Sequence, residues 1–293
     1  MKLLLFLLTI LLLTSSTALA QVRVMAGDIK ETRRTDGFFN KLEIELKLLG
    51  DPLADAKAIR VKVQTAVDET GRNLIPERDK GDEFTEISEY NRSAPKIDIE
   101  LKSPARQATQ VNEVAGIIEL YMPGKDPASI LTIANLLSAT GKPLVSPALK
   151  AAGIEITVWN KEQFDARKKS EEARLRKEAE SKKKEAAAEL GEEVVEGLMK
   201  VFGGLFSAMT EMDENGIALQ VSDKQSKIIK FEFQSADGKE LSYNGRSITG
   251  NEPKTIIFNL EQKLPPTARL KIYIYTPKAV LKVPFKLNNI PLP

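Results

Sequence analysis

The 293-residue sequence has no cysteine and no histidine, and that absence decides which chemistry is left. Without cysteine there is no thiolate nucleophile, Cys-type zinc site, iron–sulfur cluster or covalent haem attachment. Without histidine the commonest general base and transition-metal ligand are gone, so Ser-His-Asp and Cys-His hydrolases are excluded. Carboxylates, lysines, tyrosines and Ser–Lys pairs remain. Ser146 and Lys150 lie four apart, and Ser222, Asp223 and Lys224 are consecutive. Neither has the S-x-x-K spacing that places a hydroxyl beside an amine in a Ser–Lys acylase. Asp79, Asp82 and Glu83 gather around Gly81 and offer oxygen ligands for calcium, but off the EF-hand spacing, so a solvated turn is favoured. Two-carboxylate glycoside hydrolysis is open to any acid-rich chain, and no pair of acids stands apart here. Neither a phosphate-binding P-loop nor a dinucleotide fingerprint occurs. The expectation is a chain with no catalytic residue, no cofactor and no metal.

A different chemistry, apolar contact, is concentrated in one stretch. Val194, Leu198, Val201 and Leu205 form a row at helical spacing, with Val195, Met199, Phe202, Phe206 and Met209 in the row beside it. A helix apolar over most of its circumference is buried, self-associated or set in a lipid interface. Packing against the chain's own β domains is the first reading. The others make Val194, Leu198, Val201, Phe202, Leu205 and Phe206 the contact for a protein partner, a second copy or a membrane surface. Lys and Arg total 43 against 41 Asp and Glu, so there is no overall field to gather nucleic acid, and none is expected as a partner.

The elements around these residues follow from periodicity. Leu42, Ile44, Leu46 and Leu48 alternate with charged residues; so do Ile59, Val61 and Val63, and Ile97, Ile99 and Leu101. Period-two alternation predicts antiparallel strands with one buried face. The more continuous runs Ile117–Met122 and Ile154–Trp159 predict central strands. Ser129–Leu137 reads as a short helix or a strand, and Ser146-Pro147 opens a helical turn. After Lys161 the chain turns charged, with acids four residues ahead of bases (Asp165 and Lys169, Glu172 and Arg176), the order that supports a solvated helix. Past Gly216 alternation resumes at Ile217–Val221, Ile229–Phe233, Ile256–Leu260, Leu270–Ile274 and Val283–Leu287. Asp237-Gly238 predicts a hairpin turn, and Pro284 places the last strand at an edge.

The first twenty residues read as a secretory signal peptide, with Lys2, an apolar core from Leu3 to Leu13 and an Ala18-x-Ala20 end. The predicted organisation is a signal peptide at 1–20, a β-sandwich at 21–160, a charged then amphipathic helical segment at 161–212, and a second sandwich at 213–293. The two β regions echo each other: IRVKVQTAVDETGRNL resembles IIKFEFQSADGKEL, and the strand pair from Ile97 to Pro123 parallels that from Ile256 to Pro277. The run SPALKAAGIEITV, the charged helix after it and the VPFKLNNIPLP ending resemble exported bacterial proteins of unknown function with immunoglobulin-like β-sandwich domains. The resemblance implies a mainly β fold and a periplasmic or extracellular location, and it carries no catalytic motif. The function expected is non-enzymatic binding or scaffolding in the bacterial envelope. The alternatives are a carboxylate-dependent hydrolase of glycan-type substrates and a peripheral membrane protein held by the helix 194–209.

Overall fold

A computed structural model of the chain describes residues 22–34, 40–77, 83–88, 91, 94–190 and 211–293. The expected signal peptide and the apolar rows of 194–209 lie outside these residues. What is described is mainly β, with strands in four antiparallel sheets. The chain forms two compact units, and one of them is interrupted: residues up to Pro127 join with Thr276–Pro293, while Ala128–Tyr275 form the other.

The interrupted unit holds β1 (Arg23–Thr32), β2 (Lys41–Leu49), β3 (Ala58–Asp68), β4 (Thr85–Glu86), β5 (Lys96–Lys102) and β6 (Gln110–Tyr121). One sheet runs β1-β2-β5. The alternation of β2 puts Leu42, Ile44, Leu46 and Leu48 wholly inside, against Ile59 and Val61 of β3 and Val111, Val114, Ile118 and Leu120 of β6. The chain's last strand completes the second sheet.

The second unit contains β7 (Ile130–Ile133), β8 (Glu155–Asn160), β9 (Ile217–Ser222), β10 (Ile228–Gln234), β11 (Tyr243–Thr249), β12 (Lys254–Leu260) and β13 (Arg269–Ile274). It forms the sheets β10-β13-β7 and β11-β12-β9-β8 around one core. Phe258 sits at the centre, meeting Phe231, Phe233 and Tyr243 edge-on at centroid distances of 6.1, 5.1 and 5.2 Å. Such edge-to-face pairs add to simple area burial.

The last strand is β14 (Val280–Pro291), and it departs from the predicted boundaries. Read as part of a 213–293 domain, it instead pairs with β6 from Val280↔Tyr121 to Pro291↔Gln110, giving the order β14-β6-β3-β4. Val283, Phe285 and Ile290 enter the core of the interrupted unit. Conversely β7 and β8, expected in the 21–160 domain, belong to the second unit. An apolar face is satisfied by whichever sheet needs it, and sequence distance does not set that choice. The edge position implied by Pro284 does hold, since among the described residues β6 is the only strand paired with β14.

The internal echo has a structural counterpart. Both copies of the first repeat supply a strand next to the following repeat's second strand: β3 pairs with β6, and β10 with β13. The strands that open the second repeat, β5 and β12, pair with β2 and β9.

Among the described residues, two α-helices lie in the second unit. The shorter, α1 (Pro147–Ala152), begins where Ser146 accepts a hydrogen bond from Ala148 N and ends at Gly153, whose φ is 70°. The longer, α2 (Lys161–Leu190), spans about 45 Å at 1.5 Å per residue. Its start is a reciprocal cap: Gln163 N donates to Asn160 Oδ1 at 2.9 Å and Asn160 N to Gln163 Oε1 at 3.3 Å. Phe164 then packs with Trp159, Met212, Ala218 and Ile257 on the outer side of the β8-β9-β12 sheet. Trp159 is thus a packing residue, with the Arg167 guanidinium stacked 4.6 Å from its ring. This contact explains why Ile154–Trp159 reads as a central strand although β8 ends its sheet: helix α2 covers its second face. Asp165, expected to pair with Lys169, pairs with Lys161 at 2.8 Å. The four-residue spacing is available in either direction. No helix among the described residues is long and apolar enough to cross a membrane.

Candidate anion-binding site

The Ser and Asp side chains of the two Ser–Lys groupings weighed on the sequence are engaged in local turns and caps. Ser146 Oγ is engaged as the α1 cap, at 3.2 Å from Ala148 N, and Lys150 N donates to Ser146 O within that turn. Ser222 Oγ donates to Glu252, and Asp223 Oδ2 accepts from Ile228 N at 2.7 Å, which fixes the β9–β10 turn. Of the acidic loop, Asp79 and Asp82 lie outside the described residues. Among those described, no three acids come together as a metal site. The helix residues Val194, Leu198, Val201, Phe202, Leu205 and Phe206 are likewise outside the described set.

The interrupted unit instead carries a pocket of about 360 Å³ lined by Arg33, Arg34, Asn40, Arg72, Lys102, Ser103, Pro104 and Arg106. Five of the eight side chains are cationic and none is a carboxylate. They come from four stretches of chain: the end of β1, the start of β2, the turn after β3 and the loop after β5. Only the neighbours Arg33-Arg34 are visible as a basic pair in the sequence. The overall charge of +2 gives no hint of the others.

One buried carboxylate holds the loops in place. Asp68, at the end of β3, is fully buried. Its Oδ1 accepts from Thr70 N (2.9 Å), Thr70 Oγ1 (2.7 Å) and Arg72 N (3.0 Å), and its Oδ2 from Ala105 N at 2.8 Å. Gly71, at φ 84°, supplies the left-handed residue that lets the turn close around it. The same carboxylate therefore ties the turn carrying Arg72 to the loop carrying Ser103 and Arg106. The Arg33 guanidinium braces that loop from β1, donating to Pro104 O and Ala105 O at 3.4 Å each. At the other side of the pocket Arg34 N donates to Asn40 Oδ1 at 2.6 Å.

The charges are partly spoken for. Arg33 Nε lies 2.6 Å from Glu31 and Lys102 Nζ 3.5 Å from Glu77, both on acids outside the lining. The side chains of Arg72 and Arg106 are exposed and make no hydrogen bond or ion pair among the described residues. Ser103 Oγ, by contrast, is buried and has no hydrogen-bond partner. A buried hydroxyl without a partner costs free energy, so its place in the lining of a cationic pocket bears on function.

Burial by itself would push the Asp68 carboxyl up; the hydrogen bonds from Ala105, Thr70 and Arg72 outweigh it and hold the group below the usual Asp range. A depressed pKa stabilises the fold fully above the unfolded-state value of about 3.9. That contribution is lost as pH falls through the lower folded value. Melting temperature followed between neutral and strongly acidic pH should therefore drop less steeply at the acid end in Asp68→Asn than in the native protein. Asp68→Ala strands three backbone donors and should cost about 3 kcal/mol at neutral pH, read by urea unfolding. Equal acid limbs in the native protein and Asp68→Asn would remove the clasp from the account.

None of the family models, curated proteins or solved structures compared with this chain matches it.

Proposed function

We propose that this chain is a non-enzymatic binding protein of the bacterial envelope, built from two immunoglobulin-like sandwiches, that takes an anionic ligand in the pocket of its interrupted unit. The observation that carries this reading is the lining itself: five cations on three chain segments, with no carboxylate beside them among the described residues. A general base or a carboxylate nucleophile is what a histidine-free hydrolase requires, so the lining favours binding over the glycan-hydrolase alternative.

Strand order supports the immunoglobulin-like part of the reading. Sheets β1-β2-β5 and β14-β6-β3-β4 follow the A-B-E and G-F-C-C′ orders of that fold. Sheets β8-β9-β12-β11 and β10-β13-β7 follow A-B-E-D and C-F-G, with β7 taking the last place from the front of the unit. The signal-like stretch at 1–20, with its apolar core and Ala18-x-Ala20 end, supports a periplasmic or extracellular location. Residues 194–209 remain the proposed contact for a protein partner, a second copy or a membrane surface.

Amide chemical shifts recorded against phosphate, sulfate, acetate and succinate test the binding reading. At least one anion should move the amides of Arg34, Arg72, Ser103 and Arg106 saturably. If no anion moves them, the reading fails.

A further inference from the structure

Resting on that reading, we infer that the pocket selects a phosphate monoester carried on a polar body, rather than a carboxylate. Three features of the lining carry the inference.

The first is direction. A single guanidinium fork satisfies a planar carboxylate, whereas these donors converge from four separate segments. That arrangement suits a tetrahedral group whose oxygens point several ways. The second is charge. Glu31 and Glu77 offset Arg33 and Lys102, while Arg72 and Arg106 have no side-chain partner among the described residues, so two guanidinium charges face a dianion. Ser103 adds a neutral donor, since its buried Oγ lacks a partner and a hydroxyl can donate to an ester oxygen. The third is size and polarity. About 360 Å³ is some ten times the roughly 30 Å³ share of one water, so there is room beyond the phosphoryl group. Pro104 is the sole apolar residue of the lining among the described residues, and Asn40 offers amide groups to hydroxyls. A sugar or polyol phosphate fits these walls better than an acyl chain does.

The same phosphoryl chemistry occurs on soluble sugar phosphates and on lipid headgroups, and the test separates these sources. Titration calorimetry of the full mature chain with inorganic phosphate, glycerol phosphate, glycerol and succinate is the main experiment. Glycerol phosphate should bind most tightly, phosphate next, succinate at least tenfold more weakly, and glycerol not at all. Arg72→Gln and Arg106→Gln should each weaken glycerol phosphate about tenfold or more, as loss of a charge-assisted hydrogen bond implies. Both residues are exposed, so folding should survive. Lys substitutions at these positions keep the charge and lose the fork, and should recover only part of the affinity. Lys282→Gln/Lys286→Gln makes an equal or larger charge change outside the lining and should leave binding intact.

Vesicles of phosphatidylcholine with and without phosphatidic acid form the second arm. Binding to phosphatidic acid that glycerol phosphate displaces assigns the lipid source; glycerol phosphate binding without vesicle binding assigns the soluble one. Succinate equal to or tighter than glycerol phosphate, with both dependent on Arg72 and Arg106, would overturn the phosphate inference and leave the anion-binding reading standing. Affinity unaffected by either arginine substitution would overturn both.

Discussion

Gly116→Ala is expected to destabilise the interrupted unit by about 3 kcal/mol, near the upper end of what overpacking costs. A Cβ added at Gly116 would lie 2.2 Å from the Lys62 carbonyl oxygen and 3.1 Å from Phe285 Cε1. The first of these contacts decides the size of the effect. Lys62 is backbone held in the β3–β6 ladder, where Val63 opposes Gly116 just before the register shifts between Val63 and Thr65. A bulge brings the two chains too close for any side chain, and glycine is the residue that allows it. Urea unfolding with tryptophan-independent probes, such as far-UV dichroism and amide exchange across β3 and β6, reads the loss. Gly124→Ala is the control, since a Cβ there meets nothing within 4 Å. Adding Phe285→Leu to Gly116→Ala should recover little, because the ring is the lesser obstacle. A Gly116→Ala midpoint equal to the native one would mean that β3 and β6 are not paired in this register.

Removing β14 should have a still more selective consequence. A chain ending at Ala279 loses the buried Val283, Phe285 and Ile290, each contributing about 1.5–3 kcal/mol by burial. It also loses the ladder that the twelve-residue β14 makes with β6. Together these terms match or exceed the roughly 5–15 kcal/mol that separates a folded domain from its unfolded chain. Amide spectra should show the residues of β1–β6 unfolded, while β8–β13 and the Trp159 indole keep their dispersed signals. The boundaries read from the sequence predict the opposite: truncating 213–293 would unfold that region and spare 21–160. Loss of the β9–β13 signals with β2–β6 intact would return β14 to the second unit. The truncation should also abolish anion binding, since the pocket is built on β1, β2, β3 and β5.

How much of this was legible depended on what each residue had to satisfy. Strands with one strictly buried face were plain: β2 and β5 each bury alternate residues, and the water on their other face enforces the pattern. The turn at Asp68–Gly71 and the Ser146-Pro147 helix start were equally legible, because both are fixed by residues within one turn of each other. Strands β1 and β11 were missed. Both are edge strands whose burial pattern is broken by exposure, with Met25 and Ile248 about half exposed, so no periodicity marked them. The cationic pocket lining was not legible either. Arg33, Arg72, Lys102 and Arg106 are scattered over more than seventy residues, and local composition averages their charge against neighbouring acids.

The sequence by itself determined the excluded chemistry, since no fold can restore a missing cysteine or histidine. It also determined the β character and the repeat that places β3 with β10 and β6 with β13, because period and turn chemistry act over a few residues. The tertiary structure alone decided that β14 returns to β6 and that β7 and β8 leave the first β region. It alone brought Arg72 and Arg106 into one pocket behind the Asp68 clasp. Pairing and convergence of this kind are settled by which faces remain uncovered and which buried donors still need an acceptor, and those are properties of the packed chain rather than of any stretch of it.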